Sequence, residues 1–192
     1  MEAKEIESQL SPEQRPDVLE EIDASYEINF FYDPFLFTSM GITTEPVPSE
    51  RKFSLPSMER AMVLCKKLRE LAWMFSIVSK QYLIGELIPA FYARDQVRAR
   101  TYGPHHLALL LISFGIGALV DLDRRPYHEE AQHYYRLSLS ALNLQSVRIH
   151  PSIITVKCLH LLSIYNGLSG KESGLEYSFR LLDLAWEVAC EV

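Results

Sequence analysis

One stretch of the sequence decides the fold: PHHLALLLISFGIGALV, residues 104–120. Drawn as a helix, it is apolar on nearly every side, and it contains no Asp, Glu, Lys or Arg. A helix of this kind is buried inside a larger protein or in a membrane. Its uncharged apolar part, residues 107–120, has 14 residues, whereas a helix needs about 20 to span a bilayer. The stretch therefore predicts a buried central helix, and no contact with a membrane is expected.

Two segments before this stretch show the apolar periodicity of amphipathic helices. Ser57 is the expected N-cap of the first helix, and apolar side chains follow it at spacings of three and four residues. A shorter helix is predicted over residues 80–92, with Pro89 kinking or ending it. The apolar residues of the two helices are Ala61, Leu64, Cys65, Leu68, Leu71, Ala72 and Phe75, then Leu83, Ile84, Leu87, Ile88 and Phe91.

Three more helices are predicted after the central one. Pro126 is interpreted as the first residue of a helix that runs to about residue 144. Pro151 opens the next, which ends at the glycines of residues 167–170, and the last helix reaches the final residue without a stop signal. The first of these helices has Tyr134, Tyr135, Ser138, Ala141 and Leu142 facing inward. The second carries Ile154, Cys158, Leu161, Leu162 and Tyr165, and the last carries Leu175, Phe179, Leu182, Ala185, Trp186 and Ala189. No alternating strand pattern occurs over residues 57–192, so the predicted fold is all-α, a multi-helix bundle of antiparallel helix pairs.

Residues 1–54 have the composition of a tail and a linker, so the helical domain is placed at residues 55–192. The acidic residues 1–24 predict a mostly unstructured segment, and the Gly- and Pro-containing residues 41–56 predict a linker. Between them, residues 25–40 crowd six aromatic side chains: Tyr26, Phe30, Phe31, Tyr32, Phe35 and Phe37. Two interpretations stay open. The rings dock on the helical body, or the segment and the tail form an acidic–aromatic peptide of the activation type.

Charge and cysteine content restrict the function further. Residues 1–24 hold eight acidic and two basic side chains, which accounts for the whole formal net charge of −6. Nowhere in the remainder do Lys and Arg cluster with aromatic residues, as a nucleic-acid surface would require. The three cysteines, Cys65, Cys158 and Cys190, are odd in number and far apart. They predict no disulfide framework and favour a reducing, intracellular compartment.

The closest approach to a metal site is the sequence HEEAQH at residues 128–133. It is similar to the zincin motif HExxH, but His128 and His133 lie five positions apart rather than four. At about 100° per residue the two histidines point about 140° apart on a helix, so one zinc ion cannot easily take both. With Glu129, they are interpreted as surface residues in a first helical turn.

Other motifs also favour structural roles. Gly115 and Gly117 indicate a close approach between helices rather than a cofactor loop, because no strand precedes them. His105 and His106 are interpreted as one capping and one packed side chain, and residues 170–172 lack the remaining positions of a phosphate loop. The sequence therefore predicts no catalytic, cofactor-binding or metal-binding residue, and the chain is not expected to be an enzyme.

Four stretches together carry a resemblance to a known family. They are LPSMERAMVLC (55–65), LAWMFSIVSKQYLIGELIPAFY (71–92), HHLALLLISFGIGALVDLDRRPYHEEAQHYYRLSLSALNLQSV (105–147) and PSIITVKCLHLLSIYNGLSG (151–170). These stretches resemble the fungal-specific transcription factor domain in its basidiomycete version. This domain is the middle homology region of zinc-cluster (binuclear zinc, six-cysteine) transcription factors. The resemblance covers about residues 55–192.

The resemblance implies a nuclear regulator of transcription by RNA polymerase II. Family members bind zinc and promoter DNA through an N-terminal six-cysteine cluster, and their all-α middle region regulates that activity through intramolecular, partner or effector contacts. The six closely spaced cysteines have no counterpart here, so zinc and DNA belong to a missing domain. The chain is also expected to be truncated within the family's last helices. The family offers no catalytic residues to transfer to this chain.

Several alternatives stay open beside this hypothesis. A stand-alone helical adaptor would form homo- or heterodimers with related regulators through an exposed apolar face around Leu182 and Trp186. That exposure also predicts marginal stability when the chain is expressed alone. A small-molecule effector is a further expected partner, with Tyr134, Tyr135, Trp73 and Trp186 as candidates to line its pocket. The last alternative is a small helical metal-dependent enzyme that uses His128, Glu129 and His133.

Overall fold

The computed structural model describes residues 55–71, 77–92, 102–124 and 128–192. Every element within these ranges is helical, which confirms the all-α prediction. The helices are α1 (Met58–Leu71), α2 (Gln81–Leu87 continuing as Ile88–Tyr92), α3 (Pro104–Leu119), α4 (Glu129–Asn143), α5 (Ile153–Leu168) and α6 (Gly174–Ala189). Residues 1–54, to which the acidic tail, the aromatic segment and the linker were assigned, lie outside the described residues.

Helix α3 is the centre of the bundle, as its composition predicts. Each of its residues from Leu107 to Ala118 is buried, and α1, α4 and α5 all pack against it. Its C-terminal end lies beside the start of α4, because the Gly115 backbone comes close to Ala131 and Tyr135. At its other end, His105 contacts Gln145, just after α4. Helices α3 and α4 are therefore an antiparallel pair, which confirms that part of the prediction.

Two glycines of α3 lie at helix contacts. A Cβ atom at Gly117 would lie 2.2 Å from the carbonyl oxygen of Leu64, so α1 passes closer there than any side chain permits. A Cβ atom at Gly115 would meet the α4 backbone at 3.4 Å, a tight contact that small shifts can relieve. The prediction of close helix approach is confirmed at both positions, and Gly117 is the more demanding of the two.

The ends of the helices follow ordinary capping chemistry. The Ser57 hydroxyl accepts a hydrogen bond from the Arg60 amide at 3.3 Å, and Ser152 accepts from Thr155 at 3.1 Å. These bonds satisfy amides that have no partner inside the helix. Helix α4 corrects the prediction, because it begins at Glu129 and not at Pro126, which lies outside the described residues. His128 is its N-cap, with Nδ1 accepting from the Glu130 amide at 3.2 Å.

Helix α2 passes through Pro89 instead of ending there. Residues Gln81–Leu87 form wider turns in which the amide of Ile88 bonds to the carbonyl of Leu83, five residues earlier. A proline ring collides with the carbonyl four residues before it in an ordinary α-helix. The wider turns before Pro89 remove that collision, and the helix then continues as Ile88–Tyr92.

The loop between α5 and α6 is short and tight, as the glycines predict. Gly170 has φ of 65°, a left-handed conformation that favours glycine after a helix end. Gly174 opens α6 so close to α5 that a Cβ atom would lie 2.5 Å from the Asn166 carbonyl oxygen. The hydroxyls of Ser163 and Ser178 lie 2.8 Å apart one turn further along. Helices α5 and α6 are therefore a second antiparallel pair.

The core-facing side chains of α6 are Leu181, Leu184, Ala185 and Val188, so of the six apolar residues named for this helix only Ala185 is buried. The helix ends at Ala189 and not at the final residue, which corrects the prediction. The amide of Cys190 is shared between the carbonyls of Trp186 and Glu187 at 3.1 and 3.2 Å. Such sharing tightens the last turn at a helix end.

None of the helices in the described ranges is long and apolar enough to cross a lipid bilayer.

Candidate interaction surface

The residues of the metal-like motif hold α4 in place instead of converging on one site. His128 caps the helix, and Glu130 forms a two-point contact with the guanidinium of Arg60, at 3.1 Å from Nε and 2.7 Å from Nη2. The ring of His133 lies against that of Tyr134. Within the part of the chain that the structure describes, no group of three or more His, Cys, Asp or Glu side chains could hold a metal ion.

A charge cluster joins α1 to the turn after α3 and to α4. Besides Glu130, Arg60 binds Asp121, with Nη1 donating at 3.0 Å, and Lys67 lies 3.5 Å from the same carboxylate. Asp121 is the buried member, because only 2% of its side chain is exposed. Burial alone would raise the pKa of Asp121, but the bonds from Arg60 and from the Asp123 amide outweigh it and hold that pKa below its usual value. Sequence analysis missed this cluster, because its members are far apart in the sequence.

The two histidines at the start of α3 take the roles that the sequence suggested. His106 is the capping residue, with Nδ1 accepting from the Gly103 amide at 3.2 Å. His105 is buried: its Nε2 lies 2.8 Å from the carbonyl oxygen of Gln145 and its Nδ1 lies 2.7 Å from the Thr155 hydroxyl. A carbonyl only accepts, so the proton is assigned to Nε2 and Thr155 donates to Nδ1. Both ring nitrogens are thus used within the fold.

Stability should depend on pH through His105. Burial lowers the pKa of His105, against the opposing effect of its bond to Gln145, so the folded protein keeps this ring neutral. The unfolded chain takes up the proton below about pH 6.5. Acidification from pH 7.5 to 5.5 should therefore lower the free energy of unfolding, by about 1 kcal/mol for this residue.

Denaturant unfolding at the two pH values measures this loss. His105→Gln should show a smaller loss on acidification than the unchanged protein, although it is less stable at pH 7.5. An equal loss in the unchanged protein and in His105→Gln would contradict the assignment of a neutral His105.

Two of the three cysteines are interior side chains. Cys65 and Cys158 are buried, and burial raises the pKa of the Cys65 thiol to about 12 and that of Cys158 further. Such thiols are protonated near neutral pH and are poor nucleophiles. Cys190 is exposed just after α6.

The three described residues of the suggested effector pocket, Tyr134, Tyr135 and Trp186, have different surroundings. The ring of Tyr134 packs edge-on against Phe114 of α3, with centroids 5.6 Å apart. Tyr135 stacks on Tyr165 at 4.5 Å, and its hydroxyl accepts from Asn166 at 3.1 Å. Trp186 lies on the outer surface of α6, so it does not share an interior pocket with these tyrosines. Trp73 lies outside the described residues, and effector binding itself stays a prediction.

The most unusual surface of the described residues is the outward face of α6. Four large apolar side chains, spaced four, three and four residues apart, follow each other along one side of the helix. We call them the outer stripe: Leu175 (66% exposed), Phe179 (66%), Leu182 (37%) and Trp186 (72%). Single exposed apolar residues are common, but a contiguous row of large ones is a candidate contact surface. The exposure predicted around Leu182 and Trp186 is confirmed, and the stripe extends two turns further towards the start of α6.

The two edges of the outer stripe differ in character. Glu176, Arg180, Asp183 and Glu187 each follow a stripe residue by one position, so at about 100° per residue they lie along the same edge. Arg180 binds Glu176 at 2.5 Å, and Glu187 binds Arg148 at 2.8 Å. The opposite edge consists of Gly174, Ser178, Leu181 and Ala185, and it faces α5: Gly174, Leu181 and Ala185 are buried, and the Ser178 hydroxyl lies 2.8 Å from that of Ser163. A second helix on the stripe would therefore meet the charges along one edge only.

Comparison with protein-family models, with curated proteins and with solved structures found no match to this chain. The resemblance to the fungal transcription factor domain thus depends on the four stretches quoted above.

Proposed function

We propose that the chain is the regulatory, middle-homology domain of a fungal zinc-cluster transcription factor. It modulates transcription by RNA polymerase II through contacts with other protein surfaces, and it acts in the nucleus. Zinc and promoter DNA would be bound by the six-cysteine domain that the family resemblance implies, and not by the helices described here. The resemblance over residues 55–192 supports the proposal that the chain belongs to a transcription regulator. The outer stripe supports the proposal that it acts through contacts with other proteins.

The outer stripe is the observation that carries this proposal beyond the resemblance. Burying apolar surface is favourable by about 25 cal/mol per Å², and a stripe of four large side chains that stays exposed forgoes that gain. The core of the bundle does not need these residues, because α6 already packs on α5 through Leu181, Leu184 and Val188. The stripe is thus available for a contact with a further surface, and such a contact is a means of switching between masked and exposed states of a regulator.

A tethering experiment tests the proposal. The full chain is fused to a heterologous DNA-binding domain in a fungal cell that carries a matching reporter gene. We expect the fusion to change reporter output by several-fold relative to the DNA-binding domain alone, and Phe179→Ser with Trp186→Ser to abolish the change. Leu122→Ser is the matched control, because Leu122 is 93% exposed but lies outside the stripe, and it should behave as the unchanged chain. Output equal to that of the DNA-binding domain alone would contradict the proposal.

The outer stripe also favours the alternative of a stand-alone adaptor or dimerisation module without DNA binding. Such a module would associate through the same side chains but would leave a tethered reporter unchanged. Unchanged output together with stripe-dependent association would select this alternative.

A further inference from the structure

We propose that the outer stripe of α6 pairs with the outer stripe of a second copy of this chain, the two helices running antiparallel about a two-fold axis. This inference depends on the proposed function only in that both assign the stripe to protein contacts. Three properties of the stripe select this occupant: its spacing, the charges along its edge and its area.

The spacing of the stripe is the same in both directions. Stripe residues are separated by four, three and four positions, so the pattern reads identically from either end of the helix. The two-fold axis would cross the stripe at a height midway between residues 180 and 181. It would place Leu175 beside Trp186 of the second copy, and Phe179 beside Leu182 of the second copy. Each contact then joins an aromatic ring to a leucine, and every apolar position meets another. A two-fold interface requires this kind of self-complementary surface.

The charges along the edge fit an antiparallel pairing. In that arrangement the same edge of each helix faces its own equivalent, so Arg180 of one copy lies opposite Asp183 of the other, twice per dimer. Arg180 uses one of its nitrogens to bind Glu176, and its other donors can reach a second carboxylate. Glu176 and Glu187 face each other at the ends of the row, but each already has an arginine partner in its own copy. In a parallel pairing this row would face the opposite edge of the second copy, where Gly174, Ser178, Leu181 and Ala185 carry no charge and lie against α5.

The same charges disfavour the aromatic segment of residues 25–40 as the occupant. That segment contains two acidic residues and no Lys or Arg, and it follows the acidic residues 1–24. Of the carboxylates along the edge, Glu176 and Glu187 already bind arginines of their own copy, which leaves Asp183 to be met by the partner. A second copy brings its Arg180 to Asp183, whereas the aromatic segment has no basic side chain to bring.

The area of the stripe is compatible with a small interface. Four side chains with these exposures offer on the order of 500 Å² per copy. The pair would bury about 1,000 Å², the lower limit for a specific interface. The dimer should therefore be weak and reversible, as interfaces at this end of the size range are.

Sedimentation velocity of the full 192-residue chain, from about 1 to 300 μM, tests the pairing. The expected result is a monomer–dimer equilibrium that Phe179→Ser or Trp186→Ser abolishes and that Leu122→Ser leaves unchanged. These side chains are exposed, so the variants should fold, and circular dichroism checks that they do. A chain that stays monomeric throughout, or a dimer that is indifferent to the stripe variants, would overturn the proposal.

Charge reversal tests the antiparallel geometry separately. Arg180→Asp alone and Asp183→Arg alone should each weaken the dimer by about tenfold, because attraction becomes repulsion at two symmetric points. The double variant Arg180→Asp/Asp183→Arg should recover most of the affinity, and failure to recover would refute the antiparallel pairing. If the chain is monomeric but its effect on the reporter still requires the stripe, the dimer is refuted and the proposed function is kept. If the chain forms the dimer but has no effect on the reporter, the proposed function is refuted and the dimer is kept.

Discussion

Replacing Gly117 with alanine should lower the free energy of unfolding by about 3 kcal/mol, near the upper end of the cost of overfilling a packed core. The added Cβ atom would lie 2.2 Å from the carbonyl oxygen of Leu64 and 2.8 Å from its carbonyl carbon. Both are backbone atoms, so no side chain can rotate away, and α1 as a whole must shift from α3. Because α3 is the centre of the bundle, that shift disturbs the packing around Leu64 and Leu68.

Gly167→Ala is the matched control for this substitution. Gly167 is also helical and is exposed, and a Cβ atom there would meet only the Ser178 hydroxyl at an ordinary 3.6 Å. Alanine favours a helix by up to about 1 kcal/mol over glycine, so this variant should be as stable as the unchanged protein or more so. Urea unfolding followed by circular dichroism measures both. Equal stability of the two variants would show that α1 and α3 are further apart than described here.

Neutralising Asp121 should cost about 2 kcal/mol, because its carboxylate is buried between two cations. In Asp121→Asn the shape is kept, but Arg60 and Lys67 lose their shared partner and retain only Glu130 and Asp123 respectively. The contacts of α1 with the turn after α3 and with α4 then weaken together. Glu187→Gln is the control, since Glu187 and its partner Arg148 are both more than half exposed. It should change stability by no more than about 0.5 kcal/mol.

The contribution of Asp121 to stability should also depend on pH. The pKa of Asp121 is lower in the folded protein than in the unfolded chain, so its contribution to stability is present above the usual carboxyl pKa of about 3.9. It is lost as the pH falls through the lowered value. The difference in stability between the unchanged protein and Asp121→Asn should therefore shrink below about pH 4. A difference that grows in acid would contradict the assignment.

The helices themselves were largely predictable, because each carries its own periodicity and punctuation. The uncharged residues of α3 required burial, Ser57 supplied a cap, and Gly170 supplied the turn after α5. Each of these signals involves residues that are close together along the chain, so a single sequence is enough to recognise them. The start of α4 was wrong for an equally local reason: Pro126 suits a first helical position, but His128, which is an uncommon capping residue, caps the helix instead.

Contacts between distant elements were not predictable from the sequence. Arg60 and Glu130 are 70 positions apart, and no pattern around either residue indicates the other. Helix α6 shows the same limit in its apolar faces. It has two, and periodicity does not indicate whether Leu181 and Leu184 or Phe179 and Trp186 face the core. The sequence therefore identified the apolar residues of the outer stripe, and it predicted exposure around Leu182 and Trp186. It did not predict the exposure of Leu175 and Phe179.

The fluorescence of Trp186 tests the central claim, an exposed outer stripe that becomes covered by a second copy, most directly. Trp73→Phe leaves Trp186 as the only tryptophan, and its emission is recorded as the protein is concentrated from about 1 to 300 μM. The account predicts the emission of a water-exposed indole in dilute solution and a shift to shorter wavelength on concentration, which Phe179→Ser abolishes. Emission of a buried indole at every concentration, or of an exposed one at every concentration, would contradict it.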